Sequence, residues 1–341
     1  MTAIVTSAPG KLFLLGEYAV LEGAPALLTA VDARVRVRIE PAEAGRWRLD
    51  APDLGIGSLT LGADGTLPAG LDAGTRRNLR VFDAVRATVA ERAGRLGSIQ
   101  RPALAISIDS SDLRAGGHKL GLGSSAAVAV ALTAALARAA GLQLGRGEVF
   151  DLASMAHRAA QGGAGSGGDV AASTYGGLLR YVRDATPTPL IWPDGLTMLV
   201  VATGTGSSTT DLVGRVADYA AADSARYRAD LDRLTALAEC AHAAMRSADL
   251  FLDLASDYFD ALRRLDAHAH AGIVTDRHRQ LQALAARHSA AFKTSGAGGG
   301  DVGLAFSRSG APALRLAASL AAAGADVVPL GVGAAGLEDG I

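Results

Sequence analysis

The stretch Gly116-Gly117-His118-Lys119-Leu120-Gly121-Leu122-Gly123-Ser124-Ser125-Ala126-Ala127 holds the residue types best suited to chemistry. It runs into residues 128–140, which lack Pro and Gly and are rich in the strongest helix former, and Gly141 follows as a stop. Ser124 or Ser125 is suited to cap that helix, so the glycines fall just before its N-terminus. Backbone N–H groups there have no intrahelical partners, and the macrodipole adds about half a positive charge. Glycines let a ligand approach the backbone closely, so the arrangement suits a polyphosphate. A serine hydroxyl beside it is a hard oxygen ligand of the kind Mg2+ takes. The other reading is a glycine-rich turn before an ordinary core helix, and this block alone does not separate the two. Two familiar nucleotide patterns are excluded. No G-x-x-x-x-G-K-[ST] occurs, and Gly121-x-Gly123-x-x-Ala126 fits G-x-G-x-x-[GA] only formally, because polar residues 114–119 precede it where that fold needs a strand.

Further side chains able to handle phosphate sit in other glycine-bearing segments. Ala8-Pro9-Gly10-Lys11 leads into apolar Leu12-Phe13-Leu14-Leu15, which stops at Gly16-Glu17-Tyr18. A lysine between a Pro-Gly turn and a buried strand needs a partner, unless it sits on the surface at a strand end. Asp169 is the sole acid in the dense block from Gln161 to Val170, where it either caps a loop or acts as a positioned carboxylate. The hydroxyl cluster in Gly204-Thr205-Gly206-Ser207-Ser208-Thr209-Thr210 either caps a helix or binds a phosphate. A third block, Lys293-Thr294-Ser295-Gly296-Ala297-Gly298-Gly299-Gly300-Asp301, stands before a final strand–helix–strand pattern.

The elements that must position these residues follow from pattern. Arg34-Val35-Arg36-Val37-Arg38-Ile39 alternates strictly, so one face is buried and the arginine face is solvated. Residues 78–93 read as an amphipathic helix, 104–108 as a strand leading to the loop, and 148–160 as a second helix. Pro187, Pro189 and Pro193 mark a domain junction after a strand at 177–182. Beyond it come a strand at 198–202, a helical region from Asp211 to about Ala271 broken near Ser247, and a helix at 277–288. A strand at 302–306, a helix at 311–323 and a strand at 326–330 complete the pattern.

Composition narrows the class. The 341 residues suffice for two domains, 49% are hydrophobic, and 33 Lys plus Arg balance 34 Asp plus Glu. No basic block points to nucleic acid. Seven scattered histidines show no metal-ligand spacing, so no zinc site is expected. Cys240, the single cysteine, lies among alanines and reads as a small buried helix residue. With no signal peptide and no apolar run long enough for a membrane span, a cytoplasmic protein is expected.

Three of these glycine blocks, in this order and at these separations, resemble the three motifs of the GHMP kinase superfamily. The first matches Ala8–Lys11 with Gly16-Glu17-Tyr18, the second Gly121–Ala127, and the third Lys293–Gly300. Lys119 ahead of the second motif, His157-Arg158-Ala159-Ala160-Gln161-Gly162 followed by Gly165–Ala171, the segment 203–213 and Asp301 resemble the phosphomevalonate kinases within it.

That resemblance implies a two-domain α+β fold, with a ribosomal-S5-like N-terminal domain over residues 1–186 and a ferredoxin-like C-terminal domain over 187–341. It implies ATP as donor, phosphomevalonate as acceptor and diphosphomevalonate as product, in a monomer or homodimer without nucleic-acid or membrane partners. Lys11 and Asp169 would be the catalytic pair and Ser125 the Mg2+ ligand. Lys119, Gly121, Leu122, Gly123, Ser124, Ser125 and Ala126 would bind ATP. Glu17, Tyr18, Ser166, Gly167, Ser207, Ser208, Thr209, Gly298 and Gly299 would bind substrate. Mevalonate kinases usually carry a metal-binding glutamate near the position of His157, so that ligand is missing here. The alternatives are a mevalonate kinase and a catalytically silent ligand sensor on the same fold.

Overall fold

The computed structural model describes residues 2–42, 45–97, 103–115, 118–163, 165–204 and 208–340. Gly116, Gly117, Thr205, Gly206 and Ser207, all named above, lie outside the described residues. Strand β1 (Ile4–Leu15) pairs antiparallel with β2 (Ala26–Pro41), from Ile4 opposite Ile39 to Leu15 opposite Leu27. The alternation on β2 buries Val35, Val37 and Ile39 and exposes Arg36 and Arg38. Pro9-Gly10 does not turn the chain as expected. Instead β1 runs through it with a register shift between Pro9 and Lys11, a bulge that re-aims the lysine without ending the strand.

The first sheet continues with β3 (Arg48–Ala51) and β4 (Ile56–Thr60). Helices α1 (Ala73–Asn78) and α2 (Arg80–Arg95) lead to β5 (Leu104–Asp109), which pairs with β2 and, in parallel, with β3. A short hairpin, β6 (Arg114–Ala115) and β7 (His118–Lys119), delivers the chain to the glycine loop. Helices α3 (Ser124–Ala139), α4 (Arg146–Ala160) and α5 (Gly168–Tyr175) follow, then β8 (Leu178–Tyr181) and β9 (Thr188–Leu190). Every residue of α3 from Ala126 to Ala137 is buried, as suits a helix with no polar face. Its alanines let it lie close on β1 and β2, where the Thr6 hydroxyl donates to the Ala131 carbonyl at 2.8 Å.

The ends of α3 differ from each other in how far they follow expectation. At the C-terminus Gly141 N–H donates to Arg138 and Leu142 N–H to Ala137, the paired bonds that close a helix on a glycine. At the N-terminus the cap is Gly123, not a serine, with φ 75° and no side-chain cap bond. The loop reaches the helix through a left-handed residue, a conformation that serine avoids and glycine takes freely. Ser124 and Ser125 become the first helical residues.

The second sheet takes β10 (Leu196–Ala202), β11 (Ala291–Thr294), β12 (Val302–Arg308) and β13 (Asp326–Val328) in the antiparallel order β11-β12-β10-β13. That is the ferredoxin-like order. Between β10 and β11 lie α6 (Thr209–Ala222), α7 (Ser224–Ala244), α8 (Ala248–Ala269) and α9 (Asp276–Ala286), and α10 (Ala311–Ala322) joins β12 to β13. The helical region breaks at Asp223 as well as Ser247, because the Asp223 side chain caps α7 by accepting from Arg226 N–H. Cys240 is exposed, contrary to expectation, since Leu234, Leu237, Ala238 and Ala241 form the buried stripe of α7. None of the described helices is long and apolar enough to cross a membrane.

The chain then returns to the first sheet. β14 (Glu338–Gly340) pairs with β1, so the first sheet runs β14-β1-β2-β5-β3-β4, with β8 on β2 and β9 on β8. The division expected between 186 and 187 thus falls inside the β8–β9 hairpin of the first sheet. Arg34 is not simply solvated: its guanidinium donates to the carbonyls of Ala335 and Gly336 and lies 3.2 Å from Glu338. This returning segment also grips the end of α5. Leu337 N–H donates to Thr174 O and Gly177 N–H to Ala334 O.

The contact is close enough to exclude a side chain. A Cβ added to Gly176 would lie 2.1 Å from the Gly336 nitrogen, whereas one on Gly177 would meet nothing within 4 Å. Both glycines have positive φ. Gly176→Ala should therefore cost about 3 kcal/mol or more in urea unfolding, and Gly177→Ala only about 1–2 kcal/mol. Equal losses would show that the strap does not hold the end of α5.

Candidate active site

Lys11 sits where the bulge of β1 meets the glycine loop. Its backbone N–H donates to Leu122 O at 2.8 Å, tying the strand to the loop. Its ammonium lies 3.6 Å from Asp169 Oδ2 and 5.1 Å from the centre of the Phe13 ring. A Cβ on Gly123 would come within 2.9 Å of Lys11 Cε, so the space that the lysine stem fills exists because residue 123 has no side chain. Asp169 stands in the first turn of α5. One turn later the Ser173 hydroxyl donates to Pro9 O at 2.8 Å, which locks α5 to the bulge and fixes both members of the pair from behind.

Ser125, in the first turn of α3, faces His157 of α4, with Oγ 3.0 Å from Nε2. Burial pushes the imidazole below its usual pKa, so His157 is neutral at neutral pH. The Gln161 amide nitrogen lies 3.2 Å from the same Nε2 and donates to it, which makes that nitrogen an acceptor. The Ser125 hydroxyl therefore directs its proton at His157 and keeps its oxygen lone pairs for a ligand.

These groups line a cavity of about 1300 Å3. One wall is the glycine loop with Ser124, Ser125 and Lys119. The face of α6 formed by Thr209, Thr210, Val213, Gly214 and Ala217 also lines the cavity, and Phe150, Tyr175 and Tyr181 add aromatic rings. The free N–H groups at the start of α3 suit a polyphosphate. The hydroxyl of Ser125 and the carboxylates of Asp169 and Asp301 are hard oxygen donors that suit Mg2+. Among the described residues no three His, Cys, Asp or Glu side chains converge on one point. A divalent ion here would complete its shell with phosphate oxygens and water, as Mg2+ commonly does.

The cavity also borders a seam between the first and third glycine blocks. Ser295 Oγ accepts from Phe13 N–H and donates to Phe13 O, both at 3.0 Å. The Tyr18 hydroxyl donates to Ala297 O at 2.7 Å, and Tyr258 donates to Glu17 O at 2.9 Å. Within the seam the Lys293 ammonium, fully buried, pairs with the Glu17 carboxylate. Burial raises the Glu17 pKa and lowers that of Lys293, because each charged form has been taken out of water, and each partner's charge opposes that change.

A model of the GHMP kinases N-terminal domain matches residues 80–177. The phosphomevalonate kinase of Streptomyces sp. (strain CL190) is 37% identical over an alignment covering 89% of this chain and 89% of its own. The chain belongs to the phosphomevalonate kinase family of GHMP kinases. The mevalonate kinase of Thermococcus sibiricus is 34% identical over 62% of this chain and 61% of its own. The fold is also that of the Streptococcus pneumoniae phosphomevalonate kinase solved with phosphomevalonate and AMPPNP. That structure has a TM-score of 0.81 and 22% identity, and the match covers 97% of this chain and 100% of the other.

In this GHMP kinase the structure gathers Lys11, Glu17, Tyr18, Lys119, Gly121, Leu122, Gly123, Ser124, Ser125, Ser166, Gly167, Asp169 and Thr209 around one cavity. Four expected residues stand outside its wall. Ala126 is fully buried in the core of α3. Ser208 caps α6, accepting from Asp211 N–H at 3.3 Å. Gly299 N–H donates to Ile273 O at 2.9 Å, and a Cβ on Gly298 would lie 2.4 Å from that oxygen, so both glycines pack the third block against the loop after α8. Ser207 lies outside the described residues. Glu17 borders the cavity, but its carboxylate is taken up by Lys293.

Sequence reasoning missed that pairing. The signal was available, since a lysine inside the apolar strand Ala291–Thr294 needs a partner as much as Lys11 does. The stripe Thr210, Val213, Gly214 and Ala217 was also readable as small residues on one helix face. The fully desolvated pair makes a sharp test. Glu17→Gln leaves a buried ammonium unpaired and should cost about 3–5 kcal/mol, whereas Glu17→Gln with Lys293→Met should recover most of it. Urea unfolding of both proteins measures this, and a double variant as unstable as the single would contradict the assignment.

Proposed function

We propose that the chain transfers the terminal phosphoryl group of ATP to phosphomevalonate, giving diphosphomevalonate and ADP. The observation that carries this reading is the Lys11–Asp169 pair beside the start of α3, in a cavity large enough for both substrates. Phosphoryl transfer asks a protein mainly for positioning and charge neutralisation. The loop N–H groups and the Ser124 hydroxyl would cradle the nucleotide phosphates, with Lys119 at their edge. Ser125 would hold the magnesium that accompanies the nucleotide, which would supply positive charge to the phosphates. Lys11 would stand between donor and acceptor phosphates, where its charge counts most at the moment of transfer. Kinship with the Streptomyces phosphomevalonate kinase over nearly the whole chain supports this acceptor. Mevalonate is the second reading, because the Thermococcus sibiricus mevalonate kinase is 34% identical over 62% of the chain.

The test is ATP consumption against mevalonate, phosphomevalonate, diphosphomevalonate, homoserine and galactose. Phosphomevalonate should be turned over fastest, and faster turnover of mevalonate would overturn the assignment.

The acceptor's chemistry decides the role of Asp169. The second pKa of a phosphate monoester is about 6, so the attacking oxygen is already mostly deprotonated at neutral pH. A base would add little. An alcohol acceptor arrives protonated and gains about a hundredfold or more from one. Asp169 therefore holds the Lys11 ammonium in place, and Lys11→Ala should lower kcat more than Asp169→Asn. The profile of kcat against pH, at saturating phosphomevalonate, should keep its shape in Asp169→Asn. Loss of an acidic limb in that variant, or inactivity equal to that of Lys11→Ala, would show instead that Asp169 is a base.

A further inference from the structure

Two parts of the cavity lining come from the second lobe: the face of α6, and the third glycine block through Gly296 and Ala297. Both are fastened to one short loop between α8 and α9. Arg215 of α6 donates to Ala271 O at 3.0 Å. Gly299 N–H donates to Ile273 O at 2.9 Å, and a Cβ on Gly298 would meet that same oxygen at 2.4 Å. Ala271, Ile273 and Val274 are buried, so the loop is packed as well as bonded.

A single side chain grips this loop. Asp266, in the last turn of α8, accepts from three successive backbone N–H groups. Its Oδ1 takes those of Gly272 at 2.7 Å and Ile273 at 2.8 Å, and its Oδ2 takes that of Val274 at 3.0 Å. Bonds from backbone N–H groups to a carboxylate are about twice as strong as neutral ones, and three in a row leave the loop few other conformations. The reaction described so far gives this acid no role.

From the loop, the reacting groups are only two contacts away. Ala297 O accepts from the Tyr18 hydroxyl, and a Cβ on Gly296 would lie 3.8 Å from the Lys11 ammonium. A shift of the third block therefore moves the lining beside that charge. We propose that Asp266 is a positioning residue for phosphoryl transfer. Through one loop it fixes the α6 face relative to the third block, and with them the place of the acceptor beside Lys11. This deepens the kinase reading and rests on it. In that reading the nucleotide phosphates rest on the start of α3, in the other lobe. Loosening the loop should therefore cost turnover far more than nucleotide affinity.

The test sets kcat with phosphomevalonate against AMPPNP affinity measured by calorimetry in excess Mg2+. Asp266→Ala removes all three acceptors and should lower kcat about tenfold or more, while AMPPNP affinity changes less than about threefold. Asp266→Asn keeps a carbonyl oxygen for two of the N–H groups and should fall between the two proteins. If Asp266→Ala does not fold, the same split is read in Asp266→Asn as a loss of about threefold or more in kcat. Arg215→Met cuts the arm to α6 and should itself lower kcat/KM for the acceptor. Added to Asp266→Ala it should bring little further loss, because both act through one loop. Leu320→Ala removes buried volume from the separate core under α10 and serves as the control for lost stability. Its kcat should stay within about twofold of the unmodified protein at a temperature where every variant is folded. An unchanged kcat in the Asp266 variants, or a loss no larger than in Leu320→Ala, would overturn the proposal. So would equal losses of kcat and AMPPNP affinity, or Arg215 and Asp266 effects that simply multiply. If the unmodified protein turned over none of the acceptors, the kinase reading would fall, and this inference with it.

Discussion

A buried lysine–glutamate pair is an expensive thing to place between two lobes, since both charges must leave water. Glu17 and Lys293 accept that cost at the junction of the first and third glycine blocks. Neither block can shift without exposing or orphaning a charge. The same junction carries Ser295 bonded in both directions to Phe13, Tyr18 bonded to Ala297 and Tyr258 bonded to Glu17. β1, the strand that carries Lys11, is therefore tied to the third block by side-chain contacts on both sides. The cavity is a gap between elements whose relative positions this seam fixes.

From that seam the rest of the site follows by short steps. The bulge after Pro9 turns Lys11 toward the loop, Leu122 O accepts its N–H, and Gly123 leaves room for its stem. α5 brings Asp169 to the ammonium, and Ser173 ties that helix back to Pro9. The end of α5 is held by the segment returning from the second sheet. Asp169, in the first turn of a helix of only 8 residues, is thus backed by contacts made one turn later at the other end. This suits a reaction whose catalysis is mostly placement, where small displacements of a charge cost rate.

Much of this was legible in the sequence, and the limits are physical. Alternation marked β2, the alanine run marked α3, and glycine clustering marked the loops, because each is a local pattern with a local cause. The α+β class and the ferredoxin-like second sheet came from the resemblance and agree with the strand orders. What stayed hidden depends on distant partners. Pro9-Gly10 reads as a turn until the register on β2 makes it a bulge. Ser124 reads as a cap until Gly123 takes a left-handed φ. Gly298 and Gly299 look like ligand-facing glycines until Ile273, 25 and 26 residues away in sequence, proves to be what they approach. Cys240 reads as buried because its neighbours are small, but burial on a helix is decided by which face meets the core.

His157 shows how a neutral residue can serve a charged site. A carboxylate there would compete for Ser125 as an acceptor and bring its own charge to a metal. A neutral imidazole brings no charge, and with Gln161 donating to Nε2 it can only receive the serine proton. The oxygen of Ser125 is then presented lone pairs outward, oriented by a group that takes no part in the charge balance. The absence of a carboxylate at this point of the cavity lowers the negative charge that a nucleotide and an anionic acceptor meet there. An acceptor that already carries a phosphate gains more from that absence than an alcohol does, because its own two negative charges must come close to the donor's. The neutral residue at 157 therefore fits an anionic acceptor on electrostatic grounds.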